Sequence, residues 1–220
     1  MKKLDLENIS KELLRDLNHN AQELVNPDML NSPRTIGDSV QQYLASVGLP
    51  KALKQSNISV ENNFSRRSME DMAFSDSQDN YYAVDVKTHN RDTLFNMPNL
   101  ISVKRLAQFY RNDDKNHFCI IIASYRVGKD KLLYEDCKFK PIEAFSWKCL
   151  TLGALGWGQI QIANANKLIF EKNVNRCKWM LDLCDNVSLF YDEEINKIGE
   201  RKNWFSENRQ YWANKNQNNQ

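Results

Sequence analysis

The sequence predicts an α/β (α+β) fold with a central mixed sheet flanked by helices, and three observations support this class. The run FCIIIASY (118–125) is almost entirely apolar and typical of a strand that is buried on both faces. Two further runs, 71–75 and 81–87, flank the polar stretch SDSQDN and together indicate an antiparallel hairpin. Apolar residues at helical spacing precede and follow these strands and predict the outer layers.

The first part of the chain is predicted to be mainly helical. Residues 4–17 are predicted to form an amphipathic helix, because Leu4, Ile9, Leu13, Leu14 and Leu17 lie at helical spacing. This helix is a reasonable dimerisation element. A polar linker with Pro27 and Pro33 follows, and the next helix is expected to start near Gly37 and to end at Gly48. Residues 58–64 predict a short strand.

The second half of the chain alternates between helix and strand. The sequence predicts a helix over 101–111, strands over 131–137 and 159–163, and mainly helix over 174–204. The tail NKNQNNQ (214–220) is of low complexity and is expected to be disordered. Residues 1–213 are therefore predicted to form a single domain.

Composition excludes several classes of protein. No stretch approaches the roughly 20 apolar residues that span a bilayer, and the amino terminus lacks the apolar core of a signal peptide, so we expect a cytoplasmic protein. The chain has 30 basic and 28 acidic residues, a net charge of +2. Dedicated electrostatic nucleic-acid binders are usually far more basic. Near-neutrality is compatible with a carboxylate-rich metal centre inside a basic cleft.

The five cysteines (Cys119, Cys137, Cys149, Cys177 and Cys184) contain no CxxC pair and no cluster with the histidines. An odd number at irregular spacing argues against a disulfide framework and against a zinc site. We interpret them as reduced thiols that are mostly buried.

Three ionisable residues of the hairpin are predicted to converge. Side chains alternate along a strand, so Asp85 and Lys87 point to the same face, about 7 Å apart, while Val84 and Val86 enter the core. If the turn centres on Ser77 and Gln78, Asp71 lies opposite Val84 or Asp85. The hairpin thus places two carboxylates and an ammonium group together. The other acids of the hairpin, Asp76 and Asp79, fall in the turn and are poorer candidates.

Two converging carboxylates repel each other unless one takes a proton or a cation binds between them. Mg²⁺ suits such a pair, because it uses one or two protein carboxylates together with water and phosphate oxygens. Lys87 beside it would orient a water and offset charge on a phosphate. The alternative interpretation is a surface hairpin with an ordinary Asp–Lys ion pair.

The spacing Asp71…Asp85-Val86-Lys87 resembles the signature of the PD-(D/E)xK nucleases. The runs DVKTHN and MPNLISVKRLAQ (97–108) are similar to type II restriction endonucleases of the EcoRV/HincII-like branch. Within that branch the resemblance is strongest to the HincII-like members. Gly37-Asp38 looks like the Gly-Glu that opens an early helix in that family, and WGQIQI (157–162) looks like a sheet segment after its catalytic core. The similar segments span residues 35–165 in the family's order.

The resemblance implies a restriction-endonuclease-like fold with its catalytic core over residues 35–125, and a homodimer that cuts both strands of a short palindromic DNA site with Mg²⁺. It implies metal binding by Asp71 and Asp85, a catalytic role for Lys87, and an outer acidic role for Asp38. A DNA methyltransferase of matching specificity is expected in the same host. Two positions differ from the family: Glu70 stands where many members have Pro, and Asp38 stands where they have Glu. Asp38 could instead belong to a capping box with Thr35 as N-cap.

In the family the segment after the catalytic lysine approaches DNA, which makes residues 88–99 the first candidate for DNA contact. Asn side chains suit adenine edges, whereas Arg and Lys suit guanine or phosphate. His89 could assist proton transfer, but a phosphate contact or a loop hydrogen bond is the preferred interpretation. The candidates here are His89, Asn90, Arg91, Asn96, Asn99 and, in the following helix, Lys104.

Residues 157–167 are the second candidate, through Gln159, Gln161, Asn164 and Asn166. Amide side chains at the end of a strand suit hydrogen bonding to bases, and the alternative is a solvated edge strand. Arg66 and Arg67 are either backbone contacts or plain surface. The tryptophans, including Trp157, are more typical of core or dimer packing than of base stacking.

Three functions remain in competition at this point. The first is a type II restriction endonuclease, the second a structure-selective nuclease such as a junction resolvase or repair nickase, and the third a DNA-binding protein without catalysis. Amide-rich contact segments favour the first over the second, and the complete set of Asp71, Asp85 and Lys87 disfavours the third.

Overall fold

The computed structural model describes residues 4–24, 32–54, 58–65, 68–94, 96–128 and 131–217. Contacts divide the chain into two compact units, Met1–Asn175 and Arg176–Gln220, whereas a single domain over 1–213 was predicted. The second unit contains one helix, α6 (Arg176–Gln217), so residues 214–217 of the predicted disordered tail are helical. Among the described residues, none of the helices combines the length and the apolar character that crossing a membrane requires.

The amino-terminal helices pack on one face of the larger sheet. They are α1 (Leu6–His19), α2 (Ala21–Leu24), α3 (Pro33–Tyr43) and α4 (Leu49–Leu53). The predicted amphipathic helix is confirmed as α1, and Asp5 caps it by accepting a 3.0 Å hydrogen bond from the Asn8 N–H. Its apolar side chains Ile9, Leu13 and Leu17 are buried in the core. That face of α1 is therefore occupied within the chain, which removes the reason to assign it to dimerisation.

The predicted end of the second helix at Gly48 is wrong. The chain continues from α3 through a π-helical turn, Leu44–Gly48, directly into α4. Gly48 has right-handed helical angles, φ −63° and ψ −56°, so it does not stop the helix. A Cβ atom there would lie 3.1 Å from Leu44 Cδ2, so the glycine allows close packing.

The larger sheet is mixed and has five strands in the order β1-β2-β3-β5-β6. Its strands are β1 (Val60–Glu61), β2 (Met72–Ser75), β3 (Tyr81–Asn90), β5 (Asn116–Val127) and β6 (Leu132–Pro141). β3 and β5 are parallel, and the other neighbours are antiparallel. Residues 118–125 are buried throughout, as the sequence predicts. The α+β class and the mixed central sheet flanked by helices are confirmed.

A smaller antiparallel sheet has the order β4-β8-β7. Its strands are β4 (Asn99–Ser102), β7 (Leu150–Gly153) and β8 (Gln159–Ile162). The helix predicted to begin at residue 101 begins later, as α5 (Val103–Asn112), because the preceding residues pair with β8. The alternation predicted for 159–163 is confirmed in β8, but neither β4 nor β7 was predicted. The five cysteines are free: Cys119, Cys137 and Cys149 are buried, and Cys177 and Cys184 are exposed.

Candidate active site

The predicted hairpin is present, and its register brings Asp71 next to the middle of β3. β2 pairs with β3 from Ser75↔Tyr81 to Met72↔Val84, and β2 has no residue beyond this pair, although β3 continues to Asn90. The Asp71 N–H donates to the Val84 carbonyl at 2.9 Å. Asp71 Oδ2 then accepts a 2.7 Å hydrogen bond from the Val86 N–H. The Asp71 carboxylate therefore accepts the hydrogen bond from the Val86 N–H that a backbone carbonyl of a longer β2 would accept.

Asp85 and Lys87 share one face of β3, as alternation predicts. Val84 and Val86 are buried in the apolar core on the other face. Lys87 Nζ lies 2.7 Å from both carboxylate oxygens of Asp85, and only the contact with Oδ1 has hydrogen-bond geometry. Asp85 Oδ2 is buried, and no donor among the described residues bonds it. This buried oxygen is in ion-pair contact with Lys87 but accepts no hydrogen bond of good geometry among the described residues.

Burial governs the electrostatics of both carboxylates. Burial raises the pKa of Asp85 to about 7, Lys87 opposes the rise, and the charge of Asp71 adds to it. Burial also raises the pKa of Asp71, against the lowering effects of the Val86 N–H and of Lys87. The three groups are thus electrostatically coupled. A buried acid and a half-buried acid, both with raised pKa values, are the situation in which a bound cation is stabilising.

Asp71 also faces an open cleft of about 710 Å³, which α3 lines with Asp38 and Gln41. Gln41 Nε2 donates a 2.7 Å hydrogen bond to Asp71 Oδ1. A Cβ atom on Gly37 would lie 3.2 Å from Thr88 Oγ1, so the glycine lets α3 approach β3 closely. Asp38 is exposed on the wall of this cleft. The predicted outer position of Asp38 beside Asp71 therefore has a structural basis.

The alternative interpretation of Asp38 as part of a capping box is wrong. α3 begins at Pro33, four residues before the predicted start, and its N-cap is Ser32. The Ser32 hydroxyl oxygen accepts from the Thr35 N–H at 3.4 Å and from the Thr35 hydroxyl at 2.8 Å. Thr35 is therefore inside the helix and does not cap it.

The residues present fit a small divalent cation that is mostly hydrated. Among the residues described, no group of three or more His, Cys, Asp or Glu side chains forms a ready metal cage. The candidate ligands are two carboxylates, which is the number that Mg²⁺ typically takes from a protein. The unbonded Asp85 Oδ2 supplies one oxygen, and Asp71 supplies oxygens that already accept from Val86 and Gln41.

Sequence analysis missed most residues of the cleft, among them Gln41 and Arg34. Both line it with Asp38 and Asp71. Their signal was helical spacing, because residues at i−4 and i+3 from Asp38 share its side of the helix. The spacing alone does not show that this side meets the hairpin.

His89 is buried and hydrogen-bonded to two loops, which is one of the two preferred interpretations, and a contact of His89 with phosphate stays a prediction. Its Nε2 lies 2.8 Å from Asn166 Oδ1, and its Nδ1 lies 3.4 Å from Asn96 Nδ2. The Ala165 N–H also donates to the Asn96 carbonyl at 2.9 Å. His89 therefore joins the segment after β3 to the segment after β8.

Three further candidate amides bond within the chain. Asn166 Nδ2 donates to the Thr93 carbonyl at 2.7 Å, and the Asn166 N–H donates to Asn164 Oδ1 at 2.9 Å. Asn90 Oδ1 accepts from the Asp92 N–H at 2.9 Å. These bonds shape the two loops, and a contact of Asn90, Asn96, Asn164 or Asn166 with DNA stays a prediction.

Asn99 and Gln161 are brought together on the smaller sheet. They are partners across β4 and β8, and Gln161 Nε2 lies 2.5 Å from Asn99 Oδ1. Gln159 belongs to the same strand face as Gln161 and pairs with Ser102. A Cβ atom on Gly153 would lie 2.6 Å from Gln161 Oε1, so the glutamine side chain lies across that glycine. The two candidate DNA segments therefore meet in one amide cluster.

The two candidate phosphate binders, Lys104 and Arg91, differ in the contacts that their side chains already make within the chain. Lys104 Nζ lies 4.3 Å from the ring centroid of Trp157, which is 62% exposed and thus not a core residue. Arg91 Nε is buried and lies 3.9 Å from Glu135 Oε2, too far for a hydrogen bond. Arg66 and Arg67 lie outside the described residues.

No protein-family model matches the chain, and comparison with curated proteins finds no match either.

Proposed function

We propose that the protein is a Mg²⁺-dependent type II restriction endonuclease, which hydrolyses one phosphodiester bond in each strand of a short palindromic double-stranded DNA site. The observation that carries the proposal is the buried, unbonded Asp85 Oδ2 beside Lys87, at the strand edge where Asp71 also lies. The resemblance of this motif to the PD-(D/E)xK nucleases supports the same reaction.

Asp71 and Asp85 are the residues that would hold Mg²⁺. When bound, such an ion polarises a phosphate and lowers the pKa of a coordinated water. The raised pKa values of both acids favour this role, because the ion replaces the proton that burial would otherwise retain.

The chain's own groups then act on the phosphodiester and on the attacking water. The Lys87 ammonium group is held at Asp85 and is 23% exposed, so it can donate to a water or to a phosphate oxygen next to the acids. Gln41 keeps Asp71 in place through its 2.7 Å hydrogen bond. Asp38 and Arg34 on the cleft wall would bind a hydrated ion and a neighbouring phosphate, respectively.

Site recognition is assigned to the amide cluster of Asn99, Gln159 and Gln161. Side-chain amides match the donor and acceptor pattern of adenine in the major groove. Reading a palindrome requires two copies of the cluster, which a homodimer would provide. A host that contains such an enzyme needs a DNA methyltransferase to protect its own sites.

The proposal is tested by titrating Mg²⁺ against supercoiled plasmid in the presence of the protein, and then mapping the ends of the products. Discrete fragments with one sequence at their ends are the expected result. Cleavage confined to branched DNA would instead identify a structure-selective nuclease. Binding without cleavage at any Mg²⁺ concentration would identify a DNA-binding protein and reject the hydrolytic assignment.

A further inference from the structure

Helix α6 carries a long row of apolar side chains. It has 42 residues and is about 63 Å long at 1.5 Å per residue. Every seventh residue from 177 to 212 is apolar, and further apolar residues follow two of these positions by four. The row consists of Cys177, Leu181, Cys184, Tyr191, Ile195, Ile198, Phe205 and Trp212.

Five large side chains of this row are open to solvent, and Tyr191 is half-buried. Leu181, Ile195, Ile198, Phe205 and Trp212 are between 56% and 66% exposed. The two buried side chains of α6, Trp179 and Leu183, do not belong to the row. An exposed apolar row of this length, although polar residues interrupt it, marks an interaction surface.

The period of the row indicates what covers it. On a straight α-helix, positions seven residues apart drift by about 20° per repeat, so the row winds around the helix. It faces one neighbour throughout only if two helices wind around each other with a left-handed twist. A partner that covers the row is therefore itself a helix of similar length.

Charge and polarity indicate that the partner is a second α6 in the opposite direction. Residues 176–194 contain two basic and five acidic residues, net −3, and residues 195–217 contain five basic and two acidic residues, net +3. A parallel pair in register would place Lys202 and Arg209, which occupy two of the row's polar positions, against their own copies. An antiparallel pair avoids this repulsion and joins each acidic half to a basic half.

We infer that two copies of this chain associate through an antiparallel pair of α6 helices. In the register that suits the charges, Ile195 of one copy faces Ile198 of the other, and Leu181 faces Trp212. Beside this centre Glu194 of each copy lies opposite Arg201 of the other, which gives two symmetric ion pairs. Arg209 lies opposite the small side chain of Cys184. The inference uses only α6 and does not depend on the nuclease proposal.

The association is tested by sedimentation equilibrium of the full chain over a range of concentrations. The wild type is expected to be a dimer. Ile195→Glu is expected to raise the dimer Kd at least about 100-fold, because it buries two carboxylates near the two-fold axis. Leu189→Glu is the matched control: Leu189 is 65% exposed against 64% for Ile195, and it lies off the row, so the dimer persists. A monomeric wild type, or equal effects of both variants, would overturn the inference.

The direction of the helices is tested by mild oxidation and non-reducing electrophoresis. Arg209→Cys places a thiol opposite Cys184 and is expected to give a covalent dimer. The wild type is expected to give none, because Cys184 lies about 37 Å from its own copy along the helix axis, Cys177 lies still farther, and the other three cysteines are buried. Covalent dimers of the wild type through Cys177 or Cys184, or none with Arg209→Cys, would overturn the antiparallel arrangement.

Discussion

Gln161 Nε2 donates a hydrogen bond of 2.5 Å to Asn99 Oδ1, which joins strands β8 and β4 on the smaller sheet. The bond uses neither the Asn99 Nδ2 donor nor the Gln161 Oε1 acceptor. One donor next to one acceptor is the complement of an adenine edge in the major groove. The pair is therefore the first place to test sequence recognition.

Asn99→Ala is expected to weaken binding to the cognate site by roughly 1–3 kcal/mol while changing nonspecific binding little, because a bidentate base contact is lost and phosphate contacts remain. The measurement is the ratio of the two affinities at one salt concentration. An unchanged ratio would remove Asn99 from the recognition surface.

Gly153→Ala is expected to reduce the same ratio without unfolding the protein. The new Cβ atom would lie 2.6 Å from Gln161 Oε1, and the flexible glutamine end has to move away from Asn99. Gly153 acts only through Gln161, so Gly153→Ala should add nothing in a Gln161→Ala background. Additive losses in the double variant would contradict this positioning role, and thermal unfolding checks that the fold is retained.

Lys87→Ala is expected to leave specific binding nearly intact and to lower the cleavage rate by several orders of magnitude. Its ammonium group contacts Asp85 and is only 23% exposed, so it contributes to the reaction and little to docking. Single-turnover cleavage and equilibrium binding separate the two effects. Lys172→Ala, at an exposed lysine, is the control. Normal cleavage by Lys87→Ala would show that another residue performs this role.

Asp85→Asn is expected to stabilise the metal-free protein at alkaline pH. Burial raises the pKa of Asp85 from 3.8 to about 7, so the folded state binds a proton more tightly than the unfolded state does. This stabilisation is complete below pH 4 and is lost as the pH rises through 7. The advantage of the variant, on the order of a few kcal/mol, should therefore appear between these values and persist above them.

Chemical denaturation at pH 4.5 and pH 8 with a chelator measures that difference. Added Mg²⁺ should stabilise the wild type more at pH 8 than at pH 4.5, because the ion competes with the proton. The same stability difference between wild type and variant at both pH values would contradict the assignment of a buried carboxylate with a raised pKa.

Local patterns predicted the centre of the candidate site. Strand alternation is enough to place Asp85 beside Lys87, and a short polar turn is enough to place Asp71 across from them. Both depend on residues within about twenty positions of each other. The apolar run of β5 is likewise enough to predict a strand that is buried on both faces of the sheet.

The features that sequence analysis missed depend on distant packing. Gln41 reaches Asp71 because α3 packs closely against β3, which no local pattern encodes. His89 is buried because loops from two other segments close over it with Asn96 and Asn166. Gly48 has helical angles and lies close to Leu44 of the preceding turn, so the usual stop signal gave the wrong boundary.

The carboxylate of Asp71 seals the rim of the larger sheet at the Val86 N–H. Removing this carboxylate leaves the Val86 N–H without a hydrogen-bond acceptor. It also exposes a strand edge with which other chains can pair. A variant at this position would thus combine a loss of catalysis with aggregation and misfolding. Its inactivity would therefore say little about the reaction. Lys87 bonds to no backbone group among the contacts described. A substitution of Lys87 is therefore the better choice for an inactive variant that binds uncleaved DNA.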